Sequence, residues 1–304
     1  MYRVLLDEIN CAVALDAHGL VREEEARYTA AVSEVVRRIE CGSGTEVVLL
    51  AGPSASGKTT TASMLAEGLA RRGHTAYAVS LDDFFLPQDN CLDANGQRDF
   101  ESVHALDIPL LHRTFEQLLR TGSCEIPRFD FATGSRSPES RSLSVKAGDV
   151  IIVEGIHALN PVITDSFPAE HLLKLYVNVS SRIYDTAGEV VLSKRDLRFI
   201  RRMIRDYHYR SSDVPKTFDL WDDVIKGEDA YLFPFRFRAD IRINSFHAYE
   251  ACIFRNEAAA LLETVEPDSP YYRKAQALIA NLRRFDSLER GLVPPRSLLR
   301  EFMS

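Results

Sequence analysis

Short apolar runs and longer amphipathic stretches alternate along the chain. Five runs rich in Val, Ile and Leu predict buried strands at residues 46–51, 74–80, 150–153, 172–179 and 239–245. The periodicity between them predicts helices at 59–72, 106–120, 193–209 and about 248–262. Strands that alternate with helices form a parallel sheet with helices on both faces, so the pattern predicts an α/β fold.

Both ends of the chain lie outside this alternating region. Residues 1–45 are predicted to form an N-terminal helical extension, with an amphipathic helix at 23–40. Residues 46–265 are predicted as the central α/β domain, in which the Ser-, Arg-, Gly- and Pro-rich stretch 121–149 forms an irregular insertion. Residues 266–304 are predicted as a helical tail.

Composition and charge narrow the function classes. The 304 residues carry a formal net charge of −7, which argues against nucleic acid as the main partner. The five cysteines are scattered and form no C-x-x-C pair, so neither a disulfide framework nor a zinc site is indicated, and a cytoplasmic location is expected. No stretch approaches the roughly 18 apolar residues of a membrane helix and the N-terminus lacks a signal-peptide pattern, so no membrane partner is expected.

The sequence Gly52-Pro53-Ser54-Ala55-Ser56-Gly57-Lys58-Thr59 matches G-x-x-x-x-G-K-[ST], the phosphate-binding loop (P-loop) of nucleoside triphosphate enzymes. It stands between a predicted strand and a predicted helix, and backbone N–H groups in such a loop surround phosphate oxygens. Lys58 is predicted to reach the β- and γ-phosphates, and the Thr59 hydroxyl to bind Mg²⁺. The predicted nucleotide-binding residues of this segment are Gly52, Ser54, Ala55, Ser56, Gly57, Lys58, Thr59 and Thr60.

Acidic residues follow two of the predicted strands, where ligands bind in open parallel sheets. Asp82, with Asp83 beside it, follows the second strand, and Glu154 follows the third. An apolar strand that ends in a carboxylate downstream of a P-loop has the form of a Walker B element, so Glu154 and Asp82 are assigned to Mg²⁺. Asp82 is also assigned as the base for an attacking hydroxyl, because the loop after it is long enough to form an acceptor pocket.

The helix predicted at 193–209 is strongly basic. Its arginines fall within an arc of roughly 120°, and apolar residues occupy the other side. Guanidinium groups stabilise the charge of a phosphoryl group in transfer, so we interpret this helix as an arginine lid over the phosphates. A solvated amphipathic face and a nucleic-acid patch are the alternatives. Four arginines of this helix besides Arg195 receive a role. Arg198 and Arg202 are assigned to nucleotide binding, and Arg201 and Arg205 are assigned to catalysis.

Together, these landmarks resemble the uridine kinase / phosphoribulokinase family of P-loop kinases over roughly residues 46–255. After the P-loop, Ser80-Leu81-Asp82-Asp83-Phe84-Phe85 is similar to the family's strand-end motif with the catalytic Asp. The segments that resemble, in order, the sugar contact, the base-holding segment, the Walker B element and the lid are 99–102, 126–136, 153–157 and 198–206. The run 227–235 is most similar to a bacterial uridine kinase-like (nucleoside kinase) branch.

The resemblance implies a P-loop NTPase fold with five parallel strands, ATP·Mg²⁺ as the phosphoryl donor and the 5′-hydroxyl of a nucleoside as the acceptor. It implies Asp82 as the base, with Thr59 and Glu154 near Mg²⁺. The residues that it implies around the acceptor are Phe85, Phe100, Glu101, Phe129 and Arg136, with Glu101 near the ribose. Asp83, the neighbour of Asp82, is also assigned to the substrate site.

Two positions differ from the animal-type uridine–cytidine kinases. This chain has Gly134 where those carry a His that helps to read the pyrimidine, and Phe85 where they carry a Tyr. Because a pocket discriminates strongly through hydrogen bonds to the base, the acceptor stays open between a nucleoside and another sugar or polyol alcohol. His104 and His157 are candidates to replace the missing His, with a structural role as the alternative.

Two other classes are also open. A P-loop hydrolase or switch would use water as the acceptor; Ser193-Lys194-Arg195-Asp196 is only a weak match to a guanine-reading motif. The second class is a binding module without turnover. The presence of all four predicted catalytic and metal-binding residues, Lys58, Thr59, Asp82 and Glu154, argues against it. The two ends of the chain are candidates for packing on the core or for a subunit interface, so a homo-oligomer stays open.

Overall fold

A computed structural model describes residues 4–42, 46–91, 99–130 and 133–303. Phe131 and Ala132, in the segment predicted to hold a base, lie outside these residues. The helices are α1 (Leu6–Cys41), α2 (Lys58–Ala70), α3 (Ile108–Thr121), α4 (Pro161–Thr164), α5 (Lys194–Arg210), α6 (Val214–Gly227), α7 (Glu250–Leu262) and α8 (Tyr272–Leu282). The strands are β1 (Val4–Leu5), β2 (Val47–Ala51), β3 (Ala76–Ser80), β4 (Ser123–Ile126), β5 (Phe129–Asp130), β6 (Ser135–Arg136), β7 (Arg141–Ser144), β8 (Val150–Glu154), β9 (Leu172–Asn178), β10 (Ile183–Tyr184), β11 (Val190–Leu192) and β12 (Ile241–Asn244).

The main sheet has five strands in the order β12-β9-β2-β8-β3, and all of its pairs are parallel. This confirms the predicted five-stranded parallel sheet. The P-loop follows β2, the central strand, while the two predicted carboxylate positions lie at the ends of β3 and β8. Because the carboxyl ends of parallel strands share one edge, the sheet brings these segments together.

The sheet separates two hydrophobic cores. Alternate residues of β2 point to opposite faces: Val48 and Leu50 join one core, and Val47, Leu49 and Ala51 join the other. The first core also contains buried residues of α1, α2, α5, α7 and α8, whereas the second contains those of α3 and α4. The prediction of helices on both faces is therefore confirmed.

The N-terminal helix is longer than predicted. It begins at Leu6 instead of residue 23, with a single non-helical residue, Asp16, at φ −155° and ψ 78°. The Asp16 carboxylate accepts a hydrogen bond of 2.8 Å from the Gly19 backbone, so it caps the second stretch. The interruption divides the apolar pattern, which explains why periodicity identified only the later half.

The segment 121–149 is more regular than predicted. β4 pairs with β7, and β5 pairs with β6, both antiparallel. Gly134, with a φ of +63°, provides the turn between β5 and β6, a conformation that glycine adopts without strain. The prediction of an irregular insertion was wrong because Ser- and Arg-rich composition hid the alternation in β4, where Cys124 and Ile126 are buried.

The C-terminal residues continue the first core beyond α8. Leu298, Leu299 and Phe302 are buried in a short 3₁₀ helix, Leu298–Phe302. In the described part of the chain, all five cysteines are free thiols. None of the described helices has both the length and the apolar character that crossing a membrane requires.

Candidate active site

The P-loop adopts a conformation that depends on its two glycines. A Cβ atom at Gly52 would lie 2.3 Å from the Val177 carbonyl oxygen of β9, so only glycine fits this close approach. Gly57 has a φ of +86° at the start of α2. Thr61 donates the first hydrogen bond of that helix, to the Gly57 carbonyl at 2.9 Å. The N–H groups before Thr61 therefore point out of the helix terminus, where an anion binds.

Lys58 lies across the loop, and its ammonium group donates to the Pro53 carbonyl at 3.3 Å. Thr59, the next residue, is exposed to solvent. The Thr60 hydroxyl, assigned to the nucleotide from the sequence, instead donates to the Glu301 carboxylate at 2.6 Å. The loop therefore keeps its lysine and first threonine near the phosphate position, and its second threonine side chain contacts the C-terminal segment.

Ser80 joins the two candidate carboxylates. Its position on β3 pairs with Glu154 on β8. The Ser80 hydroxyl donates to Glu154 Oε1 at 3.0 Å and accepts from the Asp82 backbone N–H at 3.3 Å. One hydroxyl thus fixes Glu154 and the start of the Asp82 turn together. The sequence analysis assigned no role to this serine.

The charges of the two acids influence each other. Burial raises the pKa of Glu154 to about 7; the negative Asp82 adds to the rise, and Lys58 opposes it. Asp82 is in contact with solvent, but the surrounding protein atoms partly desolvate its carboxylate and so raise its pKa as well. The cationic Lys58 and Arg210 oppose this rise. Two carboxylates and one ammonium group therefore occupy one electrostatic site beside the P-loop.

These groups fit a magnesium ion. A cavity of about 530 Å³ is lined by Thr59, Ser80, Asp83 and Glu154, together with Arg128 and Arg141. In this cavity, the Glu154 carboxylate and the Thr59 and Ser80 hydroxyls offer oxygen ligands of the kind that Mg²⁺ prefers, and Asp82 is close enough to influence Glu154. Among the described residues, no group of three or more His, Cys, Asp or Glu could form a protein-only metal cage.

The arginine helix α5 does not present an open basic face. Arg198 and Arg201 are fully buried, as are the apolar Ile200 and Met203. The Arg201 guanidinium donates to Glu250 at 2.5 Å and to the Ser245 carbonyl at 2.8 Å. These two arginines therefore pair with buried acids from α7 and the segment after α6 and do not face solvent, while the roles predicted for them in nucleotide binding and catalysis stay predictions.

Arg198 holds the P-loop rather than facing solvent. Its guanidinium forms a bidentate salt bridge with the Glu228 carboxylate, at 2.5 and 2.7 Å, and donates to the Ser54 carbonyl at 3.0 Å. Glu228 in turn accepts from the Ser54 backbone N–H at 2.8 Å. Arg198 and Glu228 therefore fix the first part of the loop from outside.

The remaining arginines of α5 differ in environment. Arg202 donates to the Ser54 hydroxyl at 2.8 Å and to Asp206 at 3.1 Å. Arg205 is half-buried, pairs with Asp206 at 3.4 Å and with Glu301 at 3.7 Å, and lies close enough to Asp82 to oppose the rise in its pKa. Arg195 is on the outside, in an exposed pair with Asp229. Arg202 thus contacts the loop, whereas Arg205 and Arg210, which ends the same helix, both oppose the rise in the pKa of Asp82.

Four residues predicted around the acceptor come together next to Asp82. The rings of Phe85 and Phe129 lie 5.6 Å apart. Arg136 donates to the Phe85 carbonyl at 3.4 Å and to Asp107 at 3.1 Å. Asp83 accepts a hydrogen bond from the Phe129 backbone, which partly offsets the rise in pKa that burial causes. This side of the cleft therefore combines two aromatic rings with a fixed guanidinium.

Glu101 lies on another side of the cleft, next to Gly227, where an added Cβ would be 2.1 Å from the Glu101 Cβ. Burial raises the pKa of Glu101 to about 7, and the nearby Arg202 opposes the rise. His157 is 4% exposed and hydrogen-bonds to the Glu101 backbone, and its burial lowers its pKa to about 4. Phe100, the neighbour of Glu101, is partly buried, whereas His104 is exposed.

Three acids in this region had no assigned role in the sequence analysis: Glu228, Glu250 and Glu301. Glu228 lies within the run 227–235 that marked the bacterial branch, so that resemblance was the available signal. Glu250 and Glu301 each pair with residues that are distant in the sequence. Local periodicity gives no information about such contacts, so these two roles had no signal in the sequence.

The comparisons with known proteins agree with this geometry. The family model of the Phosphoribulokinase / Uridine kinase family matches residues 47–250. The chain belongs to this family. The uridine kinase of Staphylococcus aureus (strain JH9) is 29% identical over 202 residues, which cover 66% of this chain and 87% of that protein. The structure of a possible uridine kinase from Bacillus stearothermophilus has a TM-score of 0.50 at 20% identity, covers 70% of this chain and 97% of that one, and shares the fold.

Membership of this kinase family makes the protein an ATP-dependent phosphotransferase that acts on a hydroxyl group of a small molecule. The family match ends at residue 250, so the C-terminal segment that contacts the P-loop lies outside it. The roles of individual residues rest on the geometry described above.

Replacing Lys58 tests the loop directly. We expect Lys58→Ala to weaken ATP binding at least tenfold and to slow transfer, because the variant lacks the positive charge beside the β- and γ-phosphates. Lys146→Ala is the matched control, since Lys146 is exposed in the turn between β7 and β8. Calorimetric titration with ATP and Mg²⁺ measures the affinity. Equal affinity in the two variants would contradict the role of Lys58.

Proposed function

We propose that the protein transfers the γ-phosphoryl group of ATP·Mg²⁺ to the 5′-hydroxyl of a nucleoside. The observation that supports this most strongly is the contact of Ser80 with Glu154 beside Asp82 and Lys58. It joins a candidate base, a candidate magnesium ligand and the P-loop lysine in one cleft. Such a set suits transfer to an alcohol that enters next to the phosphates.

In this proposal Asp82 accepts the proton of the acceptor hydroxyl. The hydroxyl oxygen bonds to the γ-phosphorus, while the bond between that phosphorus and the β–γ bridging oxygen breaks, and ADP leaves with the electron pair. Lys58, Arg202 and Arg205 stabilise the negative charge on the phosphoryl oxygens. Thr59 and Glu154, with Asp82 beside them, would hold Mg²⁺, which supplies further positive charge near the phosphates when bound.

The acceptor side supports a nucleoside through its aromatic pair. Phe85 and Phe129 are suited to contact a planar base, and Glu101 is suited to accept from or donate to ribose hydroxyls. A second candidate is a kinase for another sugar or polyol. Its support is that Phe85 and Gly134 offer no side-chain hydrogen bond to a pyrimidine.

A substrate panel tests the proposal. Purified protein with ATP and Mg²⁺ is incubated with uridine, cytidine, purine nucleosides, pentoses and polyols, and transfer of phosphate is followed with labelled ATP. Lys58→Ala serves as the inactive control. We expect a labelled nucleoside 5′-monophosphate and little ADP without acceptor. A labelled sugar or polyol phosphate alone would favour the second candidate, and rapid acceptor-independent hydrolysis would contradict both.

We also propose a cytoplasmic location, which the free thiols support. The division into an N-terminal extension (1–45), a kinase domain (46–265) and a C-terminal tail (266–304) stays a prediction, as does a homo-oligomer. Size-exclusion chromatography with light scattering measures the oligomeric state.

A further inference from the structure

The last residues of the chain pack directly on the P-loop. A Cβ atom added to Gly57 would lie 2.3 Å from Leu298 Cδ1, so the leucine side chain covers this glycine. Leu298 and Phe302 are completely buried. The C-terminal segment, defined as residues 297–303, is therefore a fixed neighbour of the loop.

Several anchors hold the C-terminal segment in place. The Ser297 hydroxyl donates to Glu25 of α1 at 2.5 Å. The Tyr209 hydroxyl of α5 donates to the Met303 carbonyl at 2.5 Å, and the Arg201 guanidinium lies 5.3 Å from the centre of the Phe302 ring. Because α1 and α5 both hold it, the segment can position a side chain accurately.

Glu301 is the acid that this segment directs toward the site. Its Oε2 accepts from the Thr60 hydroxyl at 2.6 Å, and its Oε1 lies 3.7 Å from Arg205 Nη1. The Glu301 side chain is only 18% exposed. One carboxylate thus contacts the second residue after the P-loop lysine and an arginine that neighbours Asp82.

Burial and the negative Asp82 are the main causes of the raised pKa of Glu154, and the charge of Glu301 adds a smaller part. Burial raises the pKa of Asp82 as well, and Lys58, Arg210 and, to a smaller extent, Arg205 oppose that rise. Glu301 also lines a cavity of about 570 Å³ between α1, α2 and the C-terminal segment, next to Thr60. Ser63 of α2 lines both this cavity and the one that contains Glu154, so the two cavities adjoin the same helix.

We propose that Glu301 is a positioning residue, which holds Arg205 and the start of α2 in the arrangement that phosphoryl transfer requires. The proposal rests on the proposed function, in which Arg205 stabilises the transferred group. It makes the C-terminal segment a necessary part of the active site. Glu301 acts through Arg205 and Thr60 and does not itself contact the phosphate.

The experiment compares binding of ADP·Mg²⁺ with binding of ADP·Mg²⁺ plus aluminium fluoride, a mimic of the phosphoryl group in transfer. The variants are Glu301→Ala and Glu301→Gln, and the control is Glu289→Gln, an exposed acid outside the site. Wild type should bind the aluminium fluoride complex more tightly than ADP. We expect this preference to be about tenfold smaller in both Glu301 variants than in the wild type, which corresponds to about 1.4 kcal/mol. Their affinity for ADP·Mg²⁺ alone should stay within about twofold of the wild-type value.

Glu301→Gln separates positioning from packing. Its amide oxygen still accepts from Thr60, but it lacks the charge that attracts Arg205, so its loss should approach that of Glu301→Ala, at an unchanged unfolding midpoint. An unchanged preference in both variants, or a wild type that gains nothing from aluminium fluoride, would overturn the proposal. The readout needs no acceptor, so a substrate panel that yields no nucleotide would contradict the proposed function and leave this result intact.

Discussion

Asp82→Asn is expected to lower kcat by about 100-fold or more while ATP binding changes less than about threefold. A general base contributes on this scale, and an amide cannot take the proton of the acceptor hydroxyl. The side chain keeps its shape, so the aromatic acceptor side and the Ser80 contact with Glu154 should persist. Steady-state kinetics with the acceptor found in the panel, together with ATP titration, measures both quantities.

The fold should tolerate this change. Surrounding protein atoms partly remove water from Asp82 and raise its pKa, which means that the folded protein disfavours the ionised carboxylate near neutral pH. A neutral amide removes that cost, so the unfolding midpoint should stay level or rise. Asp83→Asn is the matched comparison, because Asp83 is the adjacent acid, and it should lower kcat less than about tenfold. If Asp83→Asn is the more damaging of the two, the base has been assigned to the wrong carboxylate.

The P-loop and the sheet could be predicted because their determinants are local. Gly52, Gly57, Lys58 and Thr59 lie within eight consecutive residues, and the apolar run before them is itself the signal of a buried strand. The carboxylate at the end of β8 was predictable for the same reason, since a strand's last residue is fixed by the run that precedes it. The contact of Ser80 with Glu154 could not be predicted in this way, because it depends on the register between β3 and β8.

The environment of α5 could not be predicted, because its partners are distant in sequence. Arg198 pairs with an acid 30 positions away and Arg201 with one 49 positions away. Helical periodicity separates arginines from apolar residues, but an arginine face in water and one buried against acids have the same pattern. The contact of Thr60 with Glu301 spans 241 positions, so the C-terminal segment carried no signal of its place beside the loop.

Arg201→Ala is expected to act on stability first, although the sequence assigned this arginine to catalysis. Its partner Glu250 is 1% exposed, and the variant would leave that carboxylate buried without its cation. Removing one partner of a buried pair costs about 3–5 kcal/mol. Urea unfolding measures this loss, which should appear as a large decrease in the midpoint.

Arg195→Ala is the matched control on the same helix, because its pair with Asp229 is about half exposed on both sides. Such surface pairs contribute roughly 0–1 kcal/mol, so this variant should unfold close to wild type. Arg205→Ala completes the series: its side chain is 17% exposed and neighbours Asp82, so kcat should fall more than stability does.

A double-mutant cycle on Arg201 and Glu250 decides between the structural and the catalytic role. If the pair mainly stabilises the fold, Arg201→Ala and Glu250→Ala each cost several kcal/mol, but the double variant costs much less than their sum, because neither charge is left alone. If Arg201→Ala unfolds at the wild-type midpoint and kcat still falls by more than tenfold, the guanidinium must leave Glu250 during turnover. The helix α5 would then open as the lid that its arginine pattern predicted.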